Sequence, residues 1–123
     1  MNLSIVCVTN DDGRQAGSFI KRMIRLARTL DAEFVLGLDG KAAQESDMRK
    51  FADKVVDLLA HDVPLLEKVL DIAIEACTGK YVLRLDDDEV VSSALEDWLK
   101  TGAYQNGGLF AFPRVYMLGD DQH

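Results

Sequence analysis

Tyr81-Val82-Leu83-Arg84-Leu85 runs directly into Asp86-Asp87-Asp88-Glu89. The first five residues are β-prone and mostly apolar, the pattern of a strand, and the next four are all acids. A strand that delivers four carboxylates to its own end is electrostatically costly, because like charges repel and raise one another's pKa unless a cation sits among them. A hard dication suits the arrangement. Mn²⁺ and Mg²⁺ accept carboxylate oxygens, and Mg²⁺ is typically held by one or two carboxylates together with substrate phosphates. The acidic run therefore predicts a divalent ion bridging the protein and a diphosphate. A purely structural reading competes with it, in which the acids favour the positive N-terminus of the following helix and Asp88 caps it.

Upstream of this strand, Leu65, Leu66, Val69, Leu70, Ile72, Ala73 and Ala76 form a helical stripe that starts after Pro64 and is closed by Gly79. The same alternation occurs further back. Leu3 to Val8 is a buried-type strand ending in the turn signal Thr9-Asn10-Asp11-Asp12-Gly13, and Ala16 to Leu30 is an amphipathic helix. Glu33 to Leu38 is a strand ending in Asp39-Gly40, Gln44 to Ala52 a short helix, and Lys54 to Leu59 a weaker strand. Downstream, Ser92 or Ser93 caps a helix through Lys100, and Leu109 to Met117 is strand-like beyond Asn106-Gly107-Gly108. Strands alternating with helices of about 10 to 15 residues imply βαβ units. The expected fold is α/β, a mostly parallel, doubly wound sheet with helices on both faces. Ligands of such sheets bind beyond the carboxyl ends of the strands. Asp11-Asp12, Asp39 and Asp86 through Glu89 all fall at such ends.

At 123 residues the chain is one domain's worth and long enough to bury a core without staples. Its net charge of −7 argues against a nucleic-acid partner, which requires clustered Lys and Arg. No stretch reaches the about 18 to 20 apolar residues of a membrane span, and the N-terminus lacks a signal-peptide pattern. Cys7 and Cys77 sit in strand-like and helix-like runs, which suits reduced packing residues and a cytoplasmic location.

The segment from Glu75 to Glu89, with Gly79-x-Tyr81-Val82 and Leu85-Asp86-x-Asp88-Glu89, resembles the DxD region of family-2 glycosyltransferases with the GT-A fold. Ser4 to Asn10 resembles that family's first strand and Glu33 to Asp39 its second. The resemblance spans about residues 3 to 117. It implies a Rossmann-like GT-A sheet binding a nucleotide-diphosphate sugar, in an inverting, metal-dependent transferase. Asp86 and Asp88 would form the DxD at the metal, with Asp87 or its neighbour reaching the ribose. Thr9, Asp11 and Asp39 would line the nucleoside pocket. Two departures stand out. Where relatives carry an Arg-Asn pair in the third helix this chain has Leu70 and Asp71, which leaves Lys68 or Lys80 as phosphate partners. The family's catalytic base lies beyond the DxD, in an acceptor-binding half, so residues 1–123 are expected to be a single donor-binding domain truncated after the DxD half, with base and acceptor elsewhere.

Several residues have plainer readings. Asp11 and Asp39 are also ordinary turn residues, His61 reads as a solvated loop residue, and Trp98 shares a packing stripe with Leu95 and Leu99. Arg22, Arg25 and Arg28 form a basic helix face suited to solvation or local ion pairs. Arg114, after a strand-like run, has the planar fork that fits a pyrophosphate. Two other function classes compete. A response-regulator receiver also needs acids after its first strand, here Asp11-Asp12, and an acceptor aspartate after its third, for which Asp57 or Asp62 would stand. Asp57 falls inside its strand-like run, and that reading leaves Asp86 to Glu89 unused. A non-catalytic nucleotide-binding or assembly module is the third class. A half-domain exposing apolar sheet surface would dimerise or bind a partner chain.

Overall fold

The structure is a computed structural model that describes residues 3–10, 17–40, 47–57 and 66–105. Its elements are β1 (Leu3–Thr9), α1 (Gly17–Leu30), β2 (Glu33–Leu38), a 3₁₀ turn (Asp47–Phe51), β3 (Lys54–Asp57), α2 (Leu66–Glu75), β4 (Tyr81–Asp86), α3 (Ser93–Lys100) and a last 3₁₀ turn (Ala103–Gln105). The four strands are all parallel, in the order β3-β2-β1-β4. The chain is thus α/β with a Rossmann-like sheet, whose order matches the first four strands of the 3-2-1-4-5-6 arrangement. A receiver has the order 2-1-3-4-5, with its first strand between the second and third. Here β2 and β3 lie on the same side of β1, so the sheet is not that of a receiver.

β1 and β2 are buried almost throughout, as expected of parallel strands covered on both faces. Alternation assigns the side chains to two cores. Leu3, Ile5 and Cys7 of β1, Phe34, Leu36 and Leu38 of β2, and Leu83 and Leu85 of β4 pack with Ile20, Met23, Leu26 and Ala27 of α1 and with Leu95 and Leu99 of α3. On the other face, Val6 and Val35 pack with Ala73 of α2, flanked by Val8, Val56 and Val82. Helices therefore cover both faces. The crossover into β2 uses one face and the return from β3 to β4 the other, as two crossovers of the same hand running in opposite directions across the sheet require. Among the described residues the exposed large hydrophobic side chain is Phe51, 47% exposed, so both faces of the described sheet are covered rather than open.

Element boundaries differ from expectation for identifiable reasons. α1 ends in a double closure, with Asp31 N–H donating to Arg28 C=O and Ala32 N–H to Ala27 C=O, and Asp31 takes the left-handed φ of 53° that glycine usually supplies. β2 can then start two residues later. Of the expected helix over 44–52, the described part is a 3₁₀ turn over Asp47–Phe51, with Met48 its buried residue. β3 is described over Lys54–Asp57, and the rest of the expected strand to Leu59 lies outside the described residues. Ser92 is the N-cap of α3, its hydroxyl accepting the Leu95 N–H at 3.0 Å. The capping reading of Asp88 is thereby removed. Leu109 to Met117, Asp11, Asp62, His61 and Arg114 lie outside the described residues.

Gly79 also has a different task from the one expected. α2 stops at Glu75, four residues earlier, and Gly79 presses against the start of β1. A Cβ there would lie 2.6 Å from the Ser4 nitrogen and 2.7 Å from the Leu3 carbonyl carbon, inside any real contact distance. The glycine is what lets the chain entering β4 lie against β1. Its N–H donates to the Ser4 hydroxyl at 2.8 Å, and that hydroxyl donates to Glu33 at 2.9 Å. Glu33, 6% exposed, also accepts the Thr78 N–H and hydroxyl, both at 2.9 Å, and has the Lys54 ammonium at 3.5 Å. Lys54 in turn donates to the carbonyl of Ala76 at 2.9 Å, just past the end of α2. One buried carboxylate thus joins the amino ends of three strands to the segment that enters the fourth.

Candidate functional site at the reversal of strand order

The sheet reverses direction between β1 and β4, because the chain leaves β1 toward one side and returns to pair with it on the other. The helices that follow β1 and β4 both pack on one face, so the α2 face beside these two strand ends is left to a cavity at the carboxyl edge, the usual ligand position in this class of sheet. Thr9 and Asp86 end the two strands, with Val8 and Asp86 in register. The Thr9 hydroxyl, buried at 1% exposure, donates to Asp87 Oδ2 at 2.6 Å. Asp39 N–H donates to the Thr9 carbonyl at 2.9 Å, so the end of β2 is tied to the same point.

The acidic run is a tight turn. The Glu89 N–H donates to the Asp86 carbonyl at 3.1 Å, and the Glu89 carboxylate accepts the Asp86 N–H at 2.7 Å. This reciprocal clasp buries Glu89 to 3% exposure and lifts Asp87 and Asp88 onto the turn tip. The four carboxylates are therefore not equivalent. Glu89 closes the turn, Asp87 is held by Thr9, and Asp86 has the Arg84 guanidinium at 3.5 Å, while Asp88 is exposed. Their combined field is felt below: the Cys7 thiol is pushed far above its ordinary value, first by burial and then by Asp87, Glu89 and Asp88. Cys7 is an inert packing group.

A cavity of about 320 Å³ lies beside the turn on the α2 face, lined by Val8, Asn10, Asp39, Leu70, Arg84, Leu85 and Asp86 to Asp88. Five of the residues expected at the site, Thr9, Asp39, Asp86, Asp87 and Asp88, thus come together at one edge. Lys80 does not. It precedes β4 at the amino edge, with its ammonium 5.8 Å from the Tyr81 ring centre, and a six-residue separation at about 3.3 Å per strand residue puts it roughly 20 Å from Asp86. Among the described residues the cation that reaches the cavity is Arg84. Period-two alternation could have found it, since residues 84 and 86 of a strand share a face. Leu70, at the place where relatives of the resembled family carry an arginine, forms an apolar part of the wall. Asp57 pairs with Leu38, which pairs with Thr9, so two strand spacings of about 4.8 Å separate it from β1.

Among the described residues no three His, Cys, Asp or Glu side chains converge as a ready-made metal cage. The donor set instead fits an open site, in which one or two carboxylates hold the ion and phosphate oxygens complete the shell. No helix of the described residues is long and apolar enough to cross a membrane. Comparison with protein-family models, with curated proteins and with solved structures finds no match to this chain.

Proposed function

We propose that the chain binds a nucleotide-diphosphate sugar in the Asp39–Arg84–Asp86–Asp88 cavity, as the donor-binding half of an inverting, metal-dependent glycosyltransferase of the GT-A type. The observation that carries the reading is the Thr9–Asp87 hydrogen bond at the reversal of strand order, which sets the acidic turn over a cavity of ligand size. Asp86 and Asp88 would hold Mn²⁺ or Mg²⁺. The ion's contribution is to neutralise charge on the leaving diphosphate as a Lewis acid. Arg84 gives the chain's own cation for a phosphate oxygen, through a fork that matches the group. Asp39 accepts a hydroxyl of the ribose, and Leu70 and Val8 offer apolar surface.

Calorimetric titration with UDP and with GDP tests the reading. One of the two is expected to bind in Mn²⁺ and to lose that affinity in chelator, and equal affinity in both conditions would remove the metal bridge. Asp39→Ala is expected to weaken nucleotide binding by about 1 to 3 kcal/mol, the cost of one lost buried hydrogen bond, while Mn²⁺ affinity is retained. An Asp39→Ala protein binding as tightly as the parent would reduce Asp39 to a turn residue.

A further inference from the structure

A second cavity, of about 310 Å³, lies on the other side of the acidic turn, between α1, the segment 89–91 and α3. Its wall carries Arg22, Arg25 and Thr29 from α1, opposite Glu89 and Glu96, over a floor of Met23 and Leu26. The charged groups differ in how far they are matched. Glu89 is clasped by the Asp86 N–H, and Glu96 pairs with Lys100 at 3.1 Å. Arg28, the third arginine of the row, is gripped by Asp53 through two contacts of 3.0 Å. Arg22 and Arg25, by contrast, make no ion pair or side-chain hydrogen bond among the described residues. Two guanidiniums without an ion-pair partner among the described residues, one helical turn apart, therefore face this cavity.

We infer that this cavity is a binding site for the phosphate group of a small phosphate monoester, separate from the nucleotide site. Side chains three apart on a helix are about 5 to 6 Å apart at Cβ, close enough for both forks to close on one anion. Each guanidinium offers five N–H donors, and a carboxylate's two oxygens saturate a single fork. A tetrahedral phosphate has enough oxygens for both forks and for the Thr29 hydroxyl. The cavity is larger than the anion, leaving space over Met23 and Leu26 for the esterified group.

The test is a calorimetric titration of the full chain with inorganic phosphate and with glycerol 3-phosphate, both in chelator so that the metal-dependent site is silent. Both probes are expected to bind, the ester at least as tightly. Arg22→Gln and Arg25→Gln should each weaken binding about tenfold or more, as for a lost charge-assisted hydrogen bond, and the double variant should abolish it. Asp88→Asn should bind like the parent. These substitutions fall on exposed side chains, and an unchanged circular dichroism melt confirms that the variants are folded. Binding unchanged in the double variant, loss on Arg84→Gln in its place, an ester bound tenfold more weakly than inorganic phosphate, or no binding of either probe at millimolar concentration would each overturn the assignment.

Discussion

Glu33→Ala is expected to lower the unfolding free energy by about 3 to 5 kcal/mol, the range for breaking a buried ionic interaction by removing one partner. The cost lies in what stays behind. The Thr78 N–H and hydroxyl and the Ser4 hydroxyl lose their acceptor where little water reaches, and Lys54 keeps only the Ala76 carbonyl. Because these groups hold the amino ends of β1, β2 and β3 to the segment entering β4, the loss spreads over the whole edge. Glu33→Gln keeps one acceptor oxygen but turns an amide toward Lys54, so a smaller loss of about 1 to 3 kcal/mol is expected. Urea unfolding followed by circular dichroism measures both, and an unchanged midpoint for Glu33→Ala would show the network to be dispensable.

The same group sets an acid limit. Burial alone would raise the Glu33 pKa, but the Thr78 N–H, the Ser4 and Thr78 hydroxyls and the Lys54 ammonium together hold it below its ordinary value of about 4.3. A depressed folded-state pKa means that the unfolded chain binds the proton more readily. The contribution is therefore complete above the ordinary carboxyl range and is lost as pH falls through the lower, folded value. Asp53, depressed by its hydrogen bonds with Arg28 against the opposing effect of burial, acts in the same direction. Glu33→Gln should flatten the acid limb of the stability curve, and an acid limb as steep as the parent's would assign it to other carboxylates.

Asp88→Asn is expected to reduce Mn²⁺-dependent nucleotide binding by roughly a hundredfold or more, beyond the 10- to 100-fold cost of losing a residue that only supports a metal ligand. An ion of this type is held by one or two carboxylates, so exchanging one for a neutral amide removes a large share of its protein ligation. The fold should be untouched. Closure of the turn uses the Asp86 backbone and Glu89, and Asp88 is an exposed residue of its tip. Removing one of several repelling carboxylates relieves charge in the apo protein. Titration of Mn²⁺ and nucleotide into the variant, beside its urea midpoint, separates the two effects. A variant that binds like the parent would remove Asp88 from the metal site, and a lowered midpoint would make the turn, rather than the ion, the cause of any loss.

The α/β class, the two-faced burial of β1 and β2, the amphipathic α1 and the acidic end of β4 could all be read from the chain, because periodicity and strand-end chemistry are local properties. So was the placing of Thr9, Asp39 and Asp86 to Asp88 at carboxyl ends of strands, which follows from direction along each strand once the sheet is parallel. Which of those ends meet could not be read in this way. Strand order is a long-range property, and only the order β3-β2-β1-β4 brings residue 9 against residue 87, sets Asp57 two strands away and excludes a receiver sheet. Lys80 read as a phosphate partner and Arg84 only as a residue of a strand-like run. Position decided between them: Lys80 precedes its strand, and Arg84 shares the face and the edge of Asp86. Glu33 read as the first residue of a strand and Gly79 as the stop of a helix, because nothing local reveals that residues 4, 33, 54 and 78 converge. A buried polar group is legible only when its partners are, and those partners come together only in the folded sheet, where each buried donor and acceptor must be satisfied.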